Sequence, residues 1–349
     1  MLLTFRSQLG LQRQRGLSLV EIMVALLLGA VITVGIVQMF TANRATYQIN
    51  MGQARMQENG RFGMEFLASA IRNAGYTGCS SRGNIFNALN TVGGSVPPEF
   101  DMNEPISGFR KASATQGAPS ALPSDIPWTD IPVGSDVLVL KAVDGDGLPL
   151  AGNMPDSSSV IFSIAPDNPN DPLFATGSIL MISDCSKGAV FQVTNSGIVG
   201  GGDGRFQIQH NPGGSLVPGN FTQRLAQDDE GFGEDASVYT LSVEFYFVAP
   251  GAGTNNANEP AMALWRKRGP AAPVELVEGI ETIQVLYGED TSGNRVPNRY
   301  RRIDDVSNPD NIVTLRMTVT ASSVDRVTEQ GDGRLRRDFT KTIAVRNRT

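Results

Sequence analysis

Hydrophobic residues are distributed very unevenly along this chain. From residue 17 to residue 40 nearly every position is apolar, interrupted only by Ser18, Glu21, Gly29, Thr33, Gly35 and Gln38. About 24 residues in a helix cover ~36 Å at ~1.5 Å per residue, more than the ~30 Å of a hydrocarbon core. The run therefore predicts a helix that spans or anchors in a membrane. A cleaved secretory signal fits poorly, because its apolar region is only ~7–15 residues long and ends in a small-residue cleavage site. An ordinary signal anchor fits the length but leaves Glu21 unexplained. A charge within such a span costs at least ~2.5 kcal/mol and is usually functional. A buried core helix fits least, since nothing else in the chain is apolar enough to wrap it.

Past residue 43 the pattern becomes amphipathic without a break. No proline occurs between residues 43 and 74. Tyr47, Met51 and Ala54, then Phe62, Phe66, Leu67, Ala70 and Ile71, recur at helical spacing among Arg44, Gln53, Arg55, Arg61, Glu65 and Arg72. These residues predict a core-facing stripe. The two segments read as one helix from 17 to about 74, closed by Gly75 as a C-cap. Gly29, Gly35, Gly52, Gly60 and Gly63 lie along it and serve either close approach or local unwinding.

Residues 76–135 carry scattered prolines, glycines and small polar residues and read as a long irregular loop. Loops of this length are usually functional or mobile. Strand patterns begin at 136–142 and continue at 159–164, at 178–185 joined by a Lys187-Gly188 turn to 189–194, and at 205–209, 237–248, 261–266, 280–287, 312–320 and 339–345. The alternation in 243–247 and 313–319 suits an antiparallel sheet with one solvated face. The predicted fold class is α+β: one long N-terminal helix packed on a mainly antiparallel β-domain over 136–349.

Composition narrows the function. A hydrophobic content of 40% with 18% charged residues allows a sizeable core, and 38 glycines with 20 prolines imply many turns. The net charge of -6 gives no general attraction for nucleic acid. Arg6, Arg13 and Arg15 precede the apolar run with no acid among them. They place the leader on the cytoplasmic side and the remainder across the membrane. Cys79 and Cys185 are the only cysteines. On an exported domain they read as a disulfide, closing a loop of about 106 residues worth up to ~4–5 kcal/mol, or as two buried thiols.

No catalytic constellation is evident. His210, the lone histidine, sits in Gln-His-Asn-Pro and reads as a polar turn residue, so any Ser-His-Asp triad would have to use it. Asp144-Gly145-Asp146-Gly147 begins like a calcium loop, but Leu148 and Pro155 stand where ligands are needed, and a hairpin turn explains it better. The acidic stretch 228–235 reads as a solvated loop. No cofactor and no metal site are expected.

Gly16-Leu17-Ser18-Leu19-Val20-Glu21 resembles the class III signal of type IV pilins and type II secretion pseudopilins. The resemblance implies cleavage by prepilin peptidase between Gly16 and Leu17, N-methylation of Leu17, and pairing of Glu21 with a neighbouring subunit's amine to set the assembly register. The helix end Arg72-Asn73-Ala74-Gly75-Tyr76-Thr77-Gly78-Cys79 is similar to the PilW family of minor pilins. So are the hairpin around Ser183-Asp184-Cys185-Ser186, the run 274–288 and the ending 338–348. This likeness favours the Cys79–Cys185 disulfide. It implies a leader at 1–16, a transmembrane and assembly helix at 17–40, its amphipathic continuation at 41–75 and a β-rich periplasmic domain at 136–349. It also implies a non-enzymatic role in an inner-membrane complex that primes pilus assembly near the tip, supporting twitching motility, adhesion or DNA uptake. Its partners would be prepilin peptidase, other minor pilins, the major pilin, the inner-membrane assembly machinery and a large tip adhesin. The location would be the inner membrane in a single pass, then the extracellular pilus. A type II secretion pseudopilin, or an anchored periplasmic binding protein or hydrolase, remains the alternative.

Overall fold

The computed structural model describes residues 16, 18–78, 84–90, 98–184, 186–199 and 204–348. The chain divides into two compact units, residues 1–51 and 52–349. The single α-helix among the described residues, α1 (Leu19–Asn73), begins in the first and ends in the second. Fifteen strands follow among the described residues. The first eight are β1 (Asn84–Asn87), β2 (Ile106–Arg110), β3 (Asp136–Pro149), β4 (Val160–Ile164), β5 (Ile179–Ser183), β6 (Lys187–Gln192), β7 (Asn195–Ile198) and β8 (Arg205–Gln209). The rest are β9 (Ser237–Thr254), β10 (Pro260–Arg268), β11 (Val274–Glu278), β12 (Ile280–Glu289), β13 (Arg299–Arg301), β14 (Ile312–Ser322) and β15 (Arg336–Ala344).

They form three sheets. The largest runs β1-β6-β5-β9-β10-β11, with β3 also paired to β9 and β2 to β3; the second is β13-β12-β14-β15; the third is β4-β8-β7. Pairing is antiparallel apart from β1 with β6. The long β9 organises the first sheet. Its start lies between β5 and β3, and its later residues lie between β3 and β10.

The second half of α1 shares the main core with two of these sheets. Leu67 and Ile71 share one core cluster with Leu138, Tyr246 and Leu264 from the large sheet, and with Ile283, Val285, Leu315 and Met317 from the four-stranded sheet. The buried helix face is Met56, Gly60, Gly63, Met64, Leu67, Ala68 and Ile71. The expected stripe is therefore half right. Leu67 and Ile71 are core, but Phe62 and Phe66 are exposed. The sheet comes too close to α1 to admit aromatic rings on the inner face. A side chain at Gly60 would run into the Phe339 ring, and one at Gly63 would touch Ile280 at 3.4 Å. Both glycines serve close approach, and the helix stays wound through them.

Gly75 ends the helix as expected, at φ +75°. Its N–H donates to Lys141 O at 2.8 Å, and the Asn347 amide caps the carbonyls of Asn73 and Ala74.

The described residues between 76 and 135 are more regular than the sequence suggested. They contain β1 and β2, each inside the large sheet. Lys111 closes the following loop, its buried ammonium donating to Trp128 O and Thr129 O. Asp144 to Gly147 form no hairpin turn. They are a bulge within β3, where its pairing with β9 shifts between Asp144 and Leu148. The stretch 228–235 is only partly solvated, since Phe232 is buried and bridges Met154.

Candidate functional site: the N-terminal helix and its seat on the sheets

Glu21 lies in the first turn of α1, which Ser18 caps: the Glu21 N–H donates to Ser18 Oγ at 3.2 Å. This is the expected use of serine at a helix start, where free N–H groups need acceptors. Gly16 is described and exposed, and Leu17 lies outside the described residues. Among the described residues the Glu21 carboxylate makes no hydrogen bond or ion pair, and it is exposed.

The apolar positions beyond it are equally bare. Leu19, Val20, Ile22, Met23, Leu26 and Leu27 are all open, and so are residues through Phe40. The most apolar 18-residue window of α1 has a mean hydropathy of 2.6, and none of it is buried. A helix this apolar without cover in its own chain requires lipid or other chains around it.

The second half of α1 is held by both polar and apolar contacts. Asn59 Nδ2 donates to Glu278 O at 3.1 Å. Lys341 on β15 donates to Glu65 at 3.1 Å, and Arg72 lies 3.5 Å from the same carboxylate. The Lys341 hydrogen bond, more than any other influence, holds Glu65 below the usual carboxylate range.

The two sheets are joined by side chains. β12 pairs β14 along its length but meets β13 only at 287–289. Its remaining free edge is filled from the start of β3. Ser135 Oγ accepts from Ile283 N–H at 3.1 Å, and Asp136 Oδ2 accepts from Val285 N–H at 2.7 Å. Asp136 is buried, and burial pushes its carboxyl up to about 6 against the pull of that N–H, Arg302 and Arg110.

His210 is not a polar turn residue. It is fully buried, its ring 5.2 Å from Phe191, with Nε2 3.2 Å from Gln223 O. Burial pushes it down to about 4. The acidic loops pair with cationic side chains: Asp144 with Arg268, Asp228 with Lys187, and Asp229 with Arg224, which also meets Asp156. Among the described residues no group of three or more His, Cys, Asp or Glu could hold a metal. Cys79 and Cys185 lie outside the described residues.

Sequence reasoning missed the seam residues Ser135 and Asp136, which look like the unremarkable start of a strand. The one signal for them is a carboxylate opening an otherwise apolar run.

Two family models match. The prokaryotic N-terminal methylation motif matches residues 11–37, and type IV pilus-assembly protein W matches residues 245–347. The first runs from residue 11 to Val37 within α1; the second covers the latter part of β9 and everything through β15, including the four-stranded sheet. No curated protein and no solved structure matches the chain. With the methylation motif on an uncovered apolar helix and the pilus-assembly match on the sheets that seat it, the chain resembles the PilW-type minor pilins of the type IV pilus, and its uncovered helix fits an inner-membrane anchor.

Proposed function

We propose that this chain is made as a prepilin, cut by prepilin peptidase between Gly16 and Leu17, methylated at Leu17, and then inserted through α1 into a complex of minor pilins that primes polymerisation and stays at or near the pilus tip. It acts by assembly and not by catalysis. The observation that carries this reading is the wholly uncovered apolar half of α1 beneath a methylation motif. Glu21, one turn into that helix, takes the free amine of an adjoining subunit. Two charges costly to leave alone in an apolar bundle neutralise one another and fix the axial register.

A disulfide between Cys79 and Cys185 belongs to the same reading. Gly78 abuts the Tyr239 ring, and Tyr239 pairs directly with Met181 on the strand that leads to Cys185. The flanking residues of both cysteines thus lie beside the start of β9. Such a bond ties the end of α1 to the large sheet.

The test is the mass and N-terminal sequence of the protein from membranes with and without prepilin peptidase. A mature chain beginning at N-methyl-Leu17, formed only with the peptidase, is expected. A chain that keeps residues 1–16 in both strains removes the proposal.

A further inference from the structure

The seam between the two large sheets leaves three buried polar atoms without a partner: Asp136 Oδ1, Arg110 Nε and Arg302 Nη1. They come from three elements. Arg110 on β2 stands directly opposite Asp136 on β3, so the two side chains share one face. Arg302 opens the short 3-10 turn Ile303–Asp305, which packs on β2. Both guanidinium groups act on the Asp136 carboxylate electrostatically, yet neither reaches it within hydrogen-bond distance. The other Asp136 oxygen already accepts from Val285. Asp304 and Tyr287 are the remaining ionisable groups close to this carboxylate.

Buried polar atoms in folded proteins are almost always partnered, and buried water is the usual partner when side chains fall short. The inventory here suits one species. Two N–H donors and one carboxylate oxygen call for a group that accepts twice and donates once. A water molecule does so in its ordinary tetrahedral geometry. Chloride can accept from both arginines but offers nothing to Asp136. A metal cation suits the carboxylate but faces two guanidinium groups.

We propose that one buried water bridges Asp136 Oδ1, Arg110 Nε and Arg302 Nη1 and closes the seam between the sheets. The site joins β2 and β3, which lie outside the pilus-assembly match, to β12 and the segment after β13, which lie within it. It is therefore one of the places, beside the β3–β9 pairing and the α1 core, where the matched part of the fold is fastened to the part that precedes it.

The test uses the full chain in detergent micelles. A crystal structure fine enough to show ordered water is expected to place one within hydrogen-bond reach of all three atoms. Arg110→Gln and Arg302→Gln are expected to be strongly non-additive. Either alone removes a leg of the bridge and raises the unfolding constant by about threefold or more, and the second then adds little. A direct Asp136–arginine contact, a halide or an empty gap in the density overturns the proposal, and so do strictly additive losses. If the variants do not fold, the density alone decides.

Discussion

Two buried titratable side chains set opposite pH slopes on the stability of the β-domain. Asp136 is raised by burial from 3.8 to about 6. The folded state holds its proton more tightly than the unfolded chain does. The stability this confers is complete below 3.8 and is lost as the pH rises through about 6. His210 is lowered by burial from 6.5 to about 4. Its contribution is complete above 6.5 and is lost as the pH falls through about 4. A tenfold change in proton affinity is worth about 1.4 kcal/mol, so each group contributes about 3 kcal/mol, and between pH 4 and 6 the two slopes nearly cancel. Asp136→Asn removes one slope, so this variant should weaken as the solution is acidified. His210→Phe removes the other and should strengthen on acidification relative to the full chain. Glu65, Glu259 and Glu289, each held below the usual carboxylate range, add a loss toward the acid end that all three proteins share, so the pH slope of the full chain is expected to lie between those of the two variants. Unfolding midpoints at three pH values for the three proteins check this, and parallel curves would sink it.

At the scale of elements, the spacing of α1 from the sheets decides which glycines can be replaced. Gly63 leaves an added methyl in ordinary contact with Ile280, whereas Gly60 has the Phe339 ring in the way. Alanine in a helix gains up to ~1 kcal/mol over glycine, and overpacking a core costs about 1–3 kcal/mol. Gly63→Ala is expected to be neutral or stabilising by up to ~1 kcal/mol. Gly60→Ala is expected to lose about 1–2 kcal/mol net, measured by denaturant unfolding of the full chain. Equal effects at the two sites would show that the ring moves aside freely.

The same contact explains what the sequence could not reveal. Periodicity identified α1, its Gly75 end and the hairpin of β5 with β6, because local spacing carries those features, although Lys187 and Gly188, read as the turn, already belong to β6. It chose the wrong face of α1 in part. Phe62 and Phe66 are as periodic as Leu67 and Ile71, and only the nearness of Phe339 on β15 to Gly60 and of Ile280 on β12 to Gly63 makes these glycines the inner positions. β1 and β2 hid among prolines because each is four or five residues long and is stabilised by partners more than 25 residues away. His210 was misread for a related reason. A histidine before Asn-Pro looks like a turn, and its burial comes from Phe191 and Gln223, which no local pattern connects to it.

For the whole molecule, the distribution of exposed apolar surface separates what folds from what assembles. The core clusters all draw on residues from Met56 onward, while residues 19–40 remain bare. Folding of the β-domain and packing of the apolar helix segment are thus separate events, driven by separate residues. The cleavage motif and Glu21 are separable in the same way. A peptidase reads the junction at Gly16 and Leu17, but a carboxylate four residues further on acts only once another subunit's amine is beside it. Glu21→Ala should therefore leave processing and the stability of the β-domain unchanged and reduce pilus number and the amount of this chain in sheared pili. Glu21→Gln, which keeps the shape and loses the charge, should behave the same way if charge neutralisation is the cause. Immunoblots of membranes and sheared fractions distinguish the steps. Normal piliation in both variants would remove Glu21 from assembly and leave the apolar surface alone to hold the subunit in place.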